Sequence, residues 1–391
     1  MLRNIVFCCI GSIVLWSCTD AQVQNTKKYI PVDAFPLFEE IVRDEVTFEP
    51  KNFENTAHSS KVRMIHGLDN TAFHFYNAVA FETEQQGVLV GGTGMRIRST
   101  LDGGKTWKDI RLSRFANAFH STAIRNGEAF AVGEGSFIVK SDAGFNNWSV
   151  FDLKDAEGLK GDSQTLYKIK FTDSLGFAMG FDTGFGIARP LIVKTQNGGD
   201  TWSVVTHAGL EEETGAINDF DIVSENLIYM VTQMGNSYKS TDGGTSWTKI
   251  FEPKQDYTNL NSVAFKNENT GFISGISGLL YATNDGGDTW NQNTVFKDST
   301  KLNISDIQYI TDDLIAITTA ESFVDEEKPI FSYLLDGNGQ NETPRPLLTK
   351  KDSSIFFEGD AFHLFLLDKK RLFLTDRNNI YSLDAKTLSL E

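Results

Sequence analysis

Five short stretches carry the side chains best placed to do chemistry. Residues 99–107, 239–247 and 282–290 share the pattern Ser/Thr-x-Asp-Gly-Gly-x-Thr/Ser-Trp, with Asp102, Asp242 and Asp285 as the acids and Trp107, Trp247 and Trp290 as the closing residues. Residues 194–202 place Asn197 where the acid would be and end on Trp202. Residues 140–148 keep Asp142 but insert one residue before Trp148. A carboxylate in a glycine-rich turn can ligate a hard cation or accept hydrogen bonds from the turn's own N–H groups. A calcium loop of the EF-hand type needs several oxygen ligands and a Glu at its twelfth position, which these stretches lack. The carboxylates are therefore read as braces of tight turns. The glycine pair admits positive φ, and the tryptophan opens the next strand with a large apolar face. Truncating such a tryptophan to alanine should cost about 3–5 kcal/mol.

No other motif offers stronger chemistry. His58, His66, His74, His120, His207 and His363 are scattered, and no two have the spacing of a paired metal ligand on one element. The three cysteines, Cys8, Cys9 and Cys18, all precede residue 19, so none is left for a disulfide, a zinc site or a thiol nucleophile in the body. Gly91-Gly92-Thr93-Gly94 looks like a phosphate loop, but it joins two strands and opens no helix. Nucleophile elbows, P-loops and dinucleotide fingerprints are missing. No catalytic, cofactor or metal residue is assigned, and no cofactor is expected.

The turns must be held by regular elements. Their tryptophans recur roughly 40–55 residues apart, the period of propellers and solenoids. An alternating strand begins each unit, at 76–81, 119–124, 167–171, 217–222 and 260–265. A strand of small and apolar residues follows, at 87–91, 129–133, 176–180, 227–232 and 271–275. A third strand, at 95–99, 137–140, 191–194, 237–239 and 279–282, leads into the turn and a fourth strand. Two further units, around 304–339 and 362–387, have no tryptophan. Seven units over residues 60–391 predict an all-β, seven-bladed propeller of four-stranded antiparallel blades, with the acidic turns between third and fourth strands. An open ring would expose an edge strand, so residues 61–66 are assigned as the outer strand of the last blade. Residues 387–390 are the alternative.

These turns are identified as Asp-boxes, or BNR repeats. They resemble those of sialidases, sortilin-type receptors, xyloglucanases and the photosystem II stability/assembly factor-like family. Over about residues 60–295 the chain is most similar to the last, in the order Gly-x-x-Gly, short strand, box, as at 91–107 and 275–290. That resemblance implies boxes on the outer rim and a non-enzymatic, secreted or anchored propeller that binds protein. The sialidase resemblance implies an alternative, a carbohydrate-active enzyme. Sialidases carry an Arg-Ile-Pro segment and an arginine triad. This chain has Arg96-Ile97-Arg98 on a third strand, and Arg189-Pro190 in an insertion.

Charge and address narrow the partners. The 391 residues include 52 acidic and 36 basic side chains, a net charge of −16. Such a surface repels phosphate backbones and anionic lipid, which excludes nucleic acid and leaves a basic protein as the better match by overall charge. Arg3 and the apolar run 5–16 form a signal peptide over residues 1–18. Residues 15–18 resemble a bacterial lipoprotein box, which implies lipidation of Cys18 and stable membrane attachment through the lipid alone. The expected location is the bacterial cell envelope, on its periplasmic face or the cell surface, and the expected state is a monomer. Residues 19–59 are read as an N-terminal extension, with 19–45 a tether and possible cover strand.

Binding is expected on long loops carried by the rigid ring. The candidates are 152–165, 180–189, 207–216, 320–328 and 341–354, marked by Asp182, Arg189, His207, Glu321 and Asp325. The expected ligand is a protein or a glycan.

Overall fold

Alternating apolar residues and glycine-rich turns fold each unit back on itself as one antiparallel sheet. The computed structural model describes residues 29–38, 41–54, 61–67, 76–92, 94–113, 117–184, 186–253, 258–296, 302–320, 332–338, 344–347, 361–376 and 379–388. Seven such sheets form a seven-bladed propeller with almost no helix. From the axis outward, blade 1 consists of Tyr76–Phe81, Gly87–Gly91, Arg96–Thr100 and Thr106–Arg111. Blade 2 runs Phe119–Arg125, Glu128–Gly133, Phe137–Ser141 and Trp148–Asp152. Blade 3 runs Ser163–Thr172, Leu175–Gly184, Ile187–Thr195 and Ser203–Val204. The inner strands of blades 4, 5 and 6 are Ile217–Ile222, Leu260–Phe265 and Asn303–Thr311. Blade 7 takes Ala361–Leu367, Arg371–Asp376 and Asn379–Asp384 from the C-terminal end. Its fourth strand is Lys61–Gly67, paired with Asn379–Asp384, so the N-terminal strand closes the ring and the alternative at 387–390 is not used. No helix among the described residues is long and apolar enough to cross a membrane.

Among its described residues, the N-terminal extension read as a tether and possible cover strand supplies three short strands. Ile30–Pro31 extends blade 2, Val42–Thr47 extends blade 1, and Lys51–Glu54 extends blade 7. Three blades therefore have five strands rather than four. Each added strand satisfies a row of edge N–H and C=O groups. Asp44 and Glu45 stand exposed on the new edge of blade 1, where charge discourages pairing with another chain.

The boxes do what their residue types suggest. Asp102 Oδ1 accepts from the N–H groups of Lys105 and Thr106 at 3.0 and 2.9 Å, and Oδ2 accepts from Thr106 Oγ1 at 2.7 Å. Thr100 Oγ1 accepts from Gly104 N–H at 2.9 Å. Asp242 repeats the arrangement, and Asp285 keeps the N–H and hydroxyl of Thr289. Gly103 and Gly104 have φ of 70° and 89°, and a Cβ on Gly104 would lie 2.6 Å from the carbonyl oxygen of Ile65 in the closing strand. The first box glycine also donates to the turn between the first two strands of its own blade: Gly103 to Gln85, Gly198 to Ser174, Gly243 to Asn226 and Gly286 to Asn269, at 2.8–3.0 Å. Neighbouring blades are tied too, by Lys194 Nζ to Gly243 O at 2.8 Å and Lys239 Nζ to Gly286 O at 3.1 Å. Trp107 is fully buried, with its indole N–H on Gly104 O at 3.0 Å. In blade 3 the tyrosine of the N-terminal segment intervenes: Trp202 Nε1 donates to Tyr29 Oη, which donates to Gly199 O.

At the axis the inner strands are laced together. Lys170 Nζ lies 3.0 Å from Asp219, which also accepts from Val263 N–H. Ser262 Oγ sits 2.9 Å from Asp219 and 3.1 Å from Asp306, and Asp306 accepts from Leu364 N–H in blade 7. Where blade 7 meets blade 1, Arg98 donates to Tyr76 Oη, to His66 Nε2 and to Asp109 at 2.6, 2.5 and 3.0 Å. Arg96 also bonds Asp109, at 3.0 Å.

Burial, with help from Arg98 and Arg96, holds His66 down at about 3. Below pH 6.5 the unfolded chain binds a proton that the folded chain refuses. Stability should therefore be complete above pH 6.5 and fall toward pH 3, by up to about 1.4 kcal/mol per pH unit from this one group. Asp242 and Asp285, held at about 2 by hydrogen bonds from Ser246 and Thr289 respectively, act in a lower window. Their contribution persists down to about pH 4 and is lost between pH 4 and 2. His120 and His363, each held at about 4 by burial, add to the same slope, so urea midpoints should fall from pH 7 to 3 and His66→Gln should lessen the fall without abolishing it. A midpoint independent of pH between 6.5 and 4 would rule this out.

Candidate binding site

Blade 3 departs from the other six. Of residues 180–189, expected as a loop, 180–184 and 187–189 are paired backbone. Leu175–Gly184 and Ile187–Thr195 stay in register from Gly176↔Thr195 to Gly184↔Ile187, so a hairpin projects from the ring. The outer strand pairs only at Val193↔Val204 and Lys194↔Ser203 before the chain turns away. A cavity of about 490 Å³ lies against the hairpin's outer side. Its floor is aliphatic, from Pro190, Leu191, Ile192, Val204, Val205 and Leu210. Its polar rim is Lys160, Asp182, Arg189, His207 and Glu211.

The structure thus brings together three of the five sequence-marked residues, Asp182, Arg189 and His207. Asp182 and Arg189 come from segment 180–189 and His207 from 207–216, while segment 152–165 adds Gly158 and Lys160 to the lining. Asp182 is buried and fully used. It accepts from the N–H groups of Lys160 and Gly161 at 2.6 and 3.0 Å and from Gln164 Nε2 at 2.8 Å, which pins the incoming segment. Arg189 is exposed and spends one N–H on Glu211 O at 3.2 Å. Burial pushes His207 below its usual range, against a hydrogen bond with the Pro190 backbone. The Glu211 carboxylate is held low by hydrogen bonds from its own N–H and that of Gly209. Lys160 makes no ion pair among the described residues.

The hairpin's outer edge is closed to a further strand. Gly215 N–H already occupies Ala188 O at 2.8 Å, and Pro190 has no N–H to offer. Glu213, which sequence reasoning missed, fixes the 207–216 segment to blade 4. It is buried and accepts from Thr232, Asn236 and Tyr238 at 2.8, 2.8 and 2.5 Å. Loop length was the only signal for Lys160, Glu211 and Glu213. Two apolar side chains stand out from this end of the ring, Ile187 at 46% and Met234 at 51% exposure. The boxes of Asp102, Asp142, Asn197, Asp242 and Asp285 lie at the opposite ends of their strands. Cys18, Glu321 and Asp325 lie outside the described residues, as do His58, His74 and most of 341–354. Among the described residues no group of three His, Cys, Asp or Glu could hold a metal ion.

Residues 64–174 match the family model for photosynthesis system II assembly factor YCF48. The chain is an Asp-box propeller that resembles this family. A solved structure of YCF48 bound to a D1 peptide is similar at TM-score 0.58 and 16% identity, covering 82% of this chain and 97% of the other. YCF48 from Cyanidioschyzon merolae gives TM-score 0.58 and 16% identity over 82% and 98%. The extracellular domain of the putative one component system BT4673 from B. thetaiotaomicron gives TM-score 0.56 and 11% identity over 82% of this chain and 39% of that one. At such identities the likeness shows the fold alone. No curated protein matches the sequence.

Asp182→Ala should free the Lys160 and Gly161 amides. Their hydrogen exchange should rise at least about tenfold, with a stability loss of about 2–3 kcal/mol. Unchanged exchange at these amides would show that Asp182 is not the brace.

Proposed function

We propose that this protein is a non-enzymatic scaffold of the bacterial cell envelope. It is attached through lipid on Cys18 and presents the raised end of blades 3 and 4 to a protein partner. The convergence of three loop segments on one cavity beside a rigid, projecting hairpin carries this reading. Most polar groups there hold shape or are left as exposed cations, and the rim's acid–base neighbours, His207 and Glu211, act on each other only electrostatically. The peptide in the similar YCF48 structure lends support.

The glycosidase reading has less behind it. Arg96 and Arg98 are buried against Asp109 and are not available to a substrate carboxylate. The axial carboxylates Asp219 and Asp306 are engaged with Lys170, Ser262 and backbone N–H groups. A glycan ligand is also less well served. The cavity lining contains no Trp, Tyr or Phe on which a sugar ring could stack.

A photo-crosslinking residue at position 187, on the hairpin, should capture one reproducible envelope protein. The same residue at position 101, on the box side, should not. Radiolabelled palmitate should enter the native chain and not Cys18→Ser. Hydrolysis of a sialoside or uronide by the purified chain, or the absence of any protein crosslinked at 187, would overturn the scaffold.

A further inference from the structure

We infer that the cavity beside the blade 3 hairpin binds an extended peptide through an acidic side chain adjacent to an aliphatic one. This rests on the protein-binding reading above and names the chemistry of the partner.

The charge balance at the cavity differs from the protein's: its rim sets two carboxylates against two cations. Overall the chain is at −16, yet the cations at this rim are the free groups. The two rim carboxylates are already committed: Asp182 accepts three hydrogen bonds, and Glu211 accepts from the Gly209 N–H. Lys160 and Arg189 remain exposed, and His207 is held toward its neutral form. A guanidinium with most of its donors unspent matches a carboxylate in a two-pronged geometry.

An exposed ion pair contributes little by itself. Affinity must come mainly from the floor, where Leu191, Val204, Val205 and Leu210 offer aliphatic surface next to the cations. Only a ligand with an anion beside an apolar group uses both. Inorganic phosphate would leave the floor wet. A uronate sugar supplies the anion but finds no aromatic platform. A peptide with Asp or Glu next to Leu, Ile or Val supplies both, and the volume of about 490 Å³ is within the range of a small-ligand pocket. Because the outer edge of the hairpin is closed at Ala188 and Pro190, recognition runs through side chains rather than through strand addition.

The test uses the full chain and a random heptapeptide display library. Enriched peptides should carry Asp or Glu beside Leu, Ile or Val. Synthetic copies, measured by fluorescence anisotropy, should lose at least tenfold in affinity when that acid becomes its amide, and again with Lys160→Glu/Arg189→Glu in the protein. Lys105→Glu, on the box side, should leave binding intact, and unchanged melting would show both variants to be folded. Binding should weaken as salt rises. Enriched peptides lacking an acid, or insensitive to the double variant, would remove the cavity assignment while leaving peptide binding in place. No enrichment alongside a protein crosslinked at position 187 would overturn the acidic-peptide class but not the scaffold; no enrichment and no crosslink would overturn both. An oligogalacturonate that displaces the peptides and binds more tightly would also overturn the class.

Discussion

An aspartate that receives turn N–H groups and the hydroxyls on both sides of it is the constraint behind the boxed blades of this ring. The turn it braces is stable on its own, so every copy delivers a fourth strand at a set angle to the third. The glycines in the same turn do a second job. Their N–H and C=O groups reach the inner turn of the same blade and a lysine of the preceding one. Local bracing and contact between blades therefore share the same atoms. Tolerance at the acid position follows: Asn197 keeps the acceptor for Thr201 N–H and for Thr195 Oγ1, and its amide donates to Thr201 Oγ1.

Most of the ring was legible because its signals are local. Tyr76–Phe81, Ile217–Ile222 and Gly271–Gly275 appear as read from alternation and glycine punctuation. The closing strand was legible from the closure requirement. What escaped was long-range. Val42–Thr47 becomes a strand because Thr106–Arg111 lies beside it, and nothing in its own sequence names that partner. The blade 3 hairpin was hidden by Gly184 and Gly186, which read as loop. The period-two run Phe177, Met179, Phe181, Thr183 was the contrary signal, and it prevailed because extended backbone keeps its hydrogen bonds in the projecting arm.

The site was legible in part. Loop length located Asp182, Arg189 and His207, but residue type misassigned Asp182, whose charge serves the backbone and not a ligand. Overall charge misled in the same way. A net figure for the whole chain cannot reveal a rim on which two hydrogen-bonded acids are matched by two cations with donors to spare. Rigid parts bring together what the linear order separates, and the identity of a free group emerges only after internal bonds are assigned.

The N-terminal strands run against the order of the blades. Tyr29 touches the box of blade 3, Ile30–Pro31 lies on blade 2, Val42–Thr47 on blade 1, and Lys51–Glu54 and Lys61–Gly67 on blade 7. These strands precede in the chain the blades that seat them, and the seat of Lys61–Gly67 waits for Asn379–Asp384. Contacts of such sequence separation are slow to form. The closing strand is thus the last to dock, and the ring locks only once Asn379–Asp384 is in place.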